Sequence, residues 1–147
     1  MAWAEDLIAE LGKRADTPLS LSKDGTCSLV FGQDEIDFEL RDDRLFIMAD
    51  LGTSLNLDQN FKEILKGCNI GAHTAFGSLG IDTVRDEFVL TRVLSAVVSY
   101  EVFEQILSAF VKVLRYWKRR LSKLSESSRI SSEPSSYKRN YLNEIIP

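Results

Sequence analysis

Apolar residues recur at four-residue spacing at the start of the chain. Trp3, Leu7 and Leu11 line one side with Ala4, Ile8 and Ala15 beside them, while Glu5, Asp6, Glu10, Lys13 and Arg14 take the other. The pattern predicts a short amphipathic helix that ends by about Pro18. The period then drops to two: Cys27, Leu29 and Phe31 alternate with Ser28 and Val30, and Ile36, Phe38 and Leu40 alternate with Glu35, Asp37 and Glu39. Turn residues at Lys23-Asp24-Gly25, Gly32-Gln33-Asp34 and Asp42-Asp43 separate these runs. Three or four antiparallel strands in a meander are therefore expected up to Leu51.

The run from Arg44 to Leu51 is apolar on both faces. Leu45, Ile47, Ala49 and Leu51 point one way, and Phe46 and Met48 the other. Such a strand needs cover on both sides. Helices of this chain can supply one cover; the second is either another chain or a helix crossing back.

Asp58 is placed to cap a second helix, in which Phe61, Ile64, Leu65 and Cys68 share a face and Lys62, Glu63 and Lys66 oppose it, ending near Gly71. Gly77 to Asp82, a turn at Arg85-Asp86, and Phe88 to Leu94 read as a hairpin. Ser99 then caps a long helix to about Leu124. Phe103, Leu107, Phe110, Leu114, Trp117, Leu121 and Leu124 follow one another at alternating spacings of four and three, a heptad seam. Tyr100, Ile106, Val111 and Val113 widen the apolar face beyond a coiled-coil stripe, which favours packing on a sheet for the first half. The second half, from Arg115 to Lys123, is basic and is expected to project past the sheet. The remaining 125–147 carries seven serines and Pro134 and too little apolar content to order itself. The domain division is thus 1–124 and a Ser-rich tail, 125–147.

At 147 residues and 44% hydrophobic content, one compact soluble domain is expected, and a pair of independent cores is nearly excluded. No apolar run approaches the about 20 residues a membrane span requires, and the opening Met1-Ala2-Trp3-Ala4-Glu5-Asp6 is acidic where a signal peptide would be basic, so a cytosolic protein without membrane insertion is expected. The net charge of -4 hides an asymmetry: residues 1–111 hold 9 basic and 19 acidic side chains, a net of -10, and residues 112–147 hold 9 and 3, a net of +6.

Chemistry is sparse. Cys27 and Cys68 form no metal-binding pair and read as small buried hydrophobes, and the single histidine, His73, sits in a linker without a nucleophile motif. The glycines between Gly71 and Gly80 lack the lysine and hydroxyl of a phosphate loop. The carboxylates Asp34, Glu35, Asp37 and Glu39 lack calcium-loop spacing and read mostly as a solvent face. The basic run Lys112, Arg115, Lys118, Arg119, Arg120 and Lys123, with Tyr116 and Trp117, is the strongest charged feature. The helix dipole accounts for part of it. An acidic protein partner or a second subunit fits the rest better than nucleic acid, which the acidic body repels.

The order of elements and several local patterns resemble the class I chaperones of bacterial type III secretion, the Tir-chaperone-like (CesT-like) family, over about residues 3–124. The patterns are Leu7-Ile8-Ala9-Glu10-Leu11-Gly12, Cys27-Ser28-Leu29-Val30-Phe31, Phe61 to Asn69 leading to Gly77-Ser78-Leu79-Gly80-Ile81-Asp82, Phe88 to Leu94, and the Trp117-bearing helix. The resemblance implies an α+β fold of order α-β-β-β-α-β-β-α, an antiparallel twisted sheet flanked by helices, in a dimer. It implies a cytoplasmic bacterial protein with no enzymatic activity, cofactor or metal, which holds the N-terminal chaperone-binding segment of one or more secreted effectors in extended form without ATP and meets the secretion ATPase or apparatus. Leu7, Leu11, Val30, Phe46 and Met48 would form the effector grooves, and Phe61, Leu65 and Cys68 the dimer contact, in a homodimer or with a related chaperone. A two-sided apolar strand and an unpaired sheet edge independently suit strand addition by an extended peptide. The alternative is a regulatory interaction module that engages the transcription or secretion machinery through Arg115, Lys118, Arg119 and Arg120.

Overall fold

The computed structural model describes residues 2–53, 68, 71 and 73–130. Helix α1 (Ala2–Arg14) is followed by strands β1 (Thr26–Phe31), β2 (Asp34–Arg41), β3 (Arg44–Thr53), β4 (Ser78–Asp82) and β5 (Glu87–Leu94), and then by helix α2 (Tyr100–Ile130). The meander has three strands. The strands form one antiparallel sheet of order β1-β2-β3-β5-β4, so the two-sided strand β3 is central and β1 and β4 are edges. The expected second helix, with Phe61 and Leu65, lies outside the described residues.

Local chemistry sets the turns. Asp42 and Asp43 both adopt positive φ, 49° and 60°, the conformation whose twist matches a tight two-residue hairpin between β2 and β3. Asp86 closes the β4–β5 turn at φ 51°. Ser99 starts α2 as expected: its hydroxyl accepts the Val102 amide at 3.4 Å and its carbonyl accepts that of Phe103 at 3.0 Å.

Pleating sorts the strands into two faces. Leu29, Ile36, Phe38, Leu45, Ile47, Ala49, Phe88, Leu90 and Leu94 are buried together with Leu7, Ile8 and Leu11 of α1 and Phe103, Leu107, Phe110 and Leu114 of α2. Phe38 and Phe103 meet at 6.4 Å between ring centroids. Both helices therefore serve one face. Arg14, at the end of α1, lies 4.3 Å from the ring centroid of Tyr100 and joins it to the start of α2.

Two features of α2 depart from expectation. It continues past Leu124 to Ile130, because Ser125 to Arg129 contains no glycine or proline to stop it. Its basic half also does not project: Leu114, Trp117 and Leu121 are buried in the core, because the four-and-three seam runs on beneath the charges. Arg115 and Lys118 reach Asp34 at the start of β2, with Nε–Oδ2 at 2.8 Å and Nζ–Oδ1 at 2.9 Å.

Candidate functional site

The other face of the sheet has no covering element among the described residues. Across its centre the registers align Glu39, Phe46 and Val93 in one row and Asp37, Met48 and Thr91 in the next. Phe46, Met48, Val89 and Val93 form a half-buried apolar stripe, and Glu35, Asp37, Glu39, Asp50, Asp82 and Glu87 surround it. Val30, 59% exposed, shows its side chain on the same face of edge strand β1. The stripe is thus an apolar centre with a polar rim, the usual make-up of a protein contact.

One end of this face is held by Arg85. Its guanidinium makes two bonds to Asp50, Nη1–Oδ2 at 2.7 Å and Nη2–Oδ1 at 2.9 Å, while Nε donates to Asp82 Oδ2 at 2.8 Å. Asp82 also accepts the Val84 and Arg85 amides at 2.9 and 3.2 Å. These donors, Arg85 first, hold its carboxyl below the usual carboxylate range. Beside this cluster lies a concavity of about 300 Å³ with Met48 and Val89 in its lining. A β-bulge between Asp50 and Gly52 interrupts the β3–β5 register there.

The expected groove residues divide between the two faces. Phe46 and Met48 lie side by side on the open face with Val30 at its edge, whereas Leu7 and Leu11, each 5% exposed, pack into the chain's own core. The groove that does open along α1 is formed by Glu5, Asp6 and Ala9 against Leu19, Ser20 and Leu21. Of the expected dimer contact, Phe61 and Leu65 lie outside the described residues, and Cys68 is half-buried against the core. On the basic helix Arg119 is exposed, while Arg115 and Lys118 are engaged by Asp34.

Asp34 belongs to the carboxylate row read mostly as a solvent face, but it is buried and paired with Arg115 and Lys118. Its phase was legible, since it stands two residues before Ile36 and four before Phe38 on the buried side. Hydrogen bonds from Arg115 and Lys118 hold its carboxyl below the ordinary range. His73 contributes its backbone to the fold: its carbonyl accepts the Trp117 indole N–H at 2.8 Å, and its side chain is exposed. Burial pushes the Cys27 thiol up, away from the reactive thiolate. Among the described residues no three His, Cys, Asp or Glu side chains gather to hold a metal, and no helix is long and apolar enough to cross a membrane.

An N-terminal helix, a five-stranded antiparallel sheet and a long C-terminal helix match the secretion-chaperone fold. The Tir chaperone protein (CesT) family model matches residues 6–118, and the chain belongs to that family. Among solved structures, it is similar to a chain of the ExsC-ExsE complex at 26% identity and TM-score 0.67, covering 79% of this chain and 91% of that one. A chain of the HopA1-SchA chaperone-effector complex aligns at 15% identity and TM-score 0.68, covering 80% and 94%. A chain of the Yersinia pestis type III secretion chaperone SycH in complex with a fragment of YscM2 aligns at 12% identity and TM-score 0.61, covering 77% and 98%. The last two likenesses concern the fold alone. No curated protein matches the sequence.

Proposed function

We propose that this chain is a bacterial cytoplasmic type III secretion chaperone that holds the N-terminal segment of one or more secreted effectors in extended form, keeping it soluble and fit for export. Family membership supports the class of activity. The observation that carries the reading is β3: its inner side is filled by the chain's own helices, while Phe46 and Met48 lie on a side, rimmed by polar groups, that no element among the described residues covers. A partner segment laid there removes apolar area from water, and the open β1 edge offers main-chain pairing. Neither contribution consumes ATP, and neither requires a catalytic group or cofactor. The active species is a dimer, with Phe61, Leu65 and Cys68 in its contact, and it delivers its cargo to the secretion apparatus. The domain proper is 1–124, and 125–147 serves as an appendage to it.

The regulatory module is the less favoured reading, since Arg115 and Lys118 already have an internal partner in Asp34. The test is co-expression of the full chain with the N-terminal fragment of an effector encoded beside it. A stable complex containing two copies of the 16.6 kDa chain is expected. A lone monomer that leaves the fragment insoluble would refute the proposal.

A further inference from the structure

Gly80 lies in the middle of β4, paired with Val89, and its backbone is outside the left-handed region. A Cβ built there meets no heavy atom within 4 Å. Gly52 also has open space, but its φ of +117° at the bulge demands glycine. Neither conformation nor crowding explains Gly80, and a glycine inside a strand weakens it. What its missing side chain leaves open is the concavity of about 300 Å³ over Met48 and Val89, which Gly80 lines together with Asp37, Asp50, Asp82 and Arg85.

We infer that this concavity is an anchor pocket for a cationic side chain, lysine or arginine, carried by the extended segment that the chaperone binds. The inference rests on the chaperone reading and adds the chemistry of the cargo. A lysine or arginine has an apolar stem for Met48 and Val89 and a charged head for the carboxylates at the rim. A purely apolar anchor would instead strip water from Asp37 and Asp50 without replacing its hydrogen bonds. Among the described residues Asp37 receives a neutral donor, the Ser28 hydroxyl at 2.5 Å. Asp50 is bonded to Arg85, but Arg85 is also held by Asp82, so it keeps a carboxylate partner when the incoming cation takes Asp50. The net charge of -10 over residues 1–111 draws a basic segment toward this face.

The test uses two short synthetic peptides of alternating threonine and valine, one with arginine at the centre and one with citrulline, its neutral analogue. Binding to the full chain is read from the methyl signal of Met48, one of only two methionines. The arginine peptide is expected to shift that signal and to bind about tenfold more tightly than the citrulline peptide. The preference should vanish in Gly80→Val, which fills the space with a good strand former and so keeps or raises the thermal midpoint. It should also vanish in Asp50→Asn and grow in Arg85→Ala, where the internal competitor is gone; a gain in binding is not a result that misfolding produces. Equal binding of the two peptides, an arginine preference that survives Gly80→Val, or an unmoved Met48 signal overturns the inference. If any of these occurs while the wild-type chain still forms its effector complex, the chaperone reading stands and only the cationic anchor falls. If no effector complex forms, the underlying reading has failed.

Discussion

Trp117 donates its indole N–H to the carbonyl of His73 at 2.8 Å and thereby fastens α2 to the loop ahead of β4. The loop is closed around Thr74, which is fully buried and donates its hydroxyl to the Gly77 carbonyl at 2.8 Å. Trp117→Phe keeps most of the buried area but removes the donor, and should cost about 1–3 kcal/mol. Trp117→Ala should cost about 3–5 kcal/mol by leaving a cavity. Urea unfolding followed by circular dichroism checks both. Equal losses in the two variants would show that packing alone matters at this position.

Asp34 gives the fold an acid-sensitive contact. Its folded pKa is depressed by Arg115 first and Lys118 second, so its contribution is present above the unfolded value of about 3.9 and is lost as pH falls through the folded value. Glu10, Asp82 and Glu101 are also held low, so the whole acid limb does not belong to Asp34. Asp34→Asn isolates its share. The variant should be less stable by about 1–3 kcal/mol near neutral pH, and the gap to wild type should close as pH falls through the depressed folded value. A gap that stays constant across this range would assign the loss to packing.

Phe46 is half-buried on the side of β3 that no element among the described residues covers, so a charge placed there stays outside the core in the free protein and meets a partner in the complex. Phe46→Asp should leave the thermal midpoint within a few degrees of wild type, as expected for a site outside the core. Affinity for an effector fragment should fall by about 2 kcal/mol or more, roughly thirtyfold. Isothermal titration measures the loss. Unchanged affinity would move the cargo site off this face.

Leu65 belongs to the proposed subunit contact. Leu65→Asp would bury a carboxylate in an apolar interface and should convert a dimer to monomers, seen as a halved mass in light scattering. Dimer mass retained by the variant would place the contact elsewhere.

Periodicity made most of the architecture legible. The change from period four to period two located α1 and the meander, and the double-sided apolar run of Arg44 to Leu51 marked β3 as a strand needing cover on both sides. A period cannot say what a buried stripe touches. Leu7 and Leu11 have the spacing of a core helix and of a groove helix alike, and the structure places them in the core. Charge misled the reading of α2: the arginines and lysines after Leu114 suggested a projecting end, although Trp117 and Leu121 continued the same apolar seam. Arg85 illustrates a different barrier. Asp50, which takes two of its hydrogen bonds, is 35 residues away, and no local pattern joins a hairpin turn to a strand of the preceding meander.

The strand order has a consequence for synthesis. β3 pairs on one side with β2, its neighbour in sequence, and on the other with β5, which does not end until Leu94. Ribosomes add about 5–20 residues per second, so the interval between completing β3 and completing β5 is on the order of seconds. Throughout that interval the nascent chain presents an unpaired edge on a strand that is apolar on both sides. Each newly made copy therefore passes through a state that resembles the kind of segment a finished copy is built to hold.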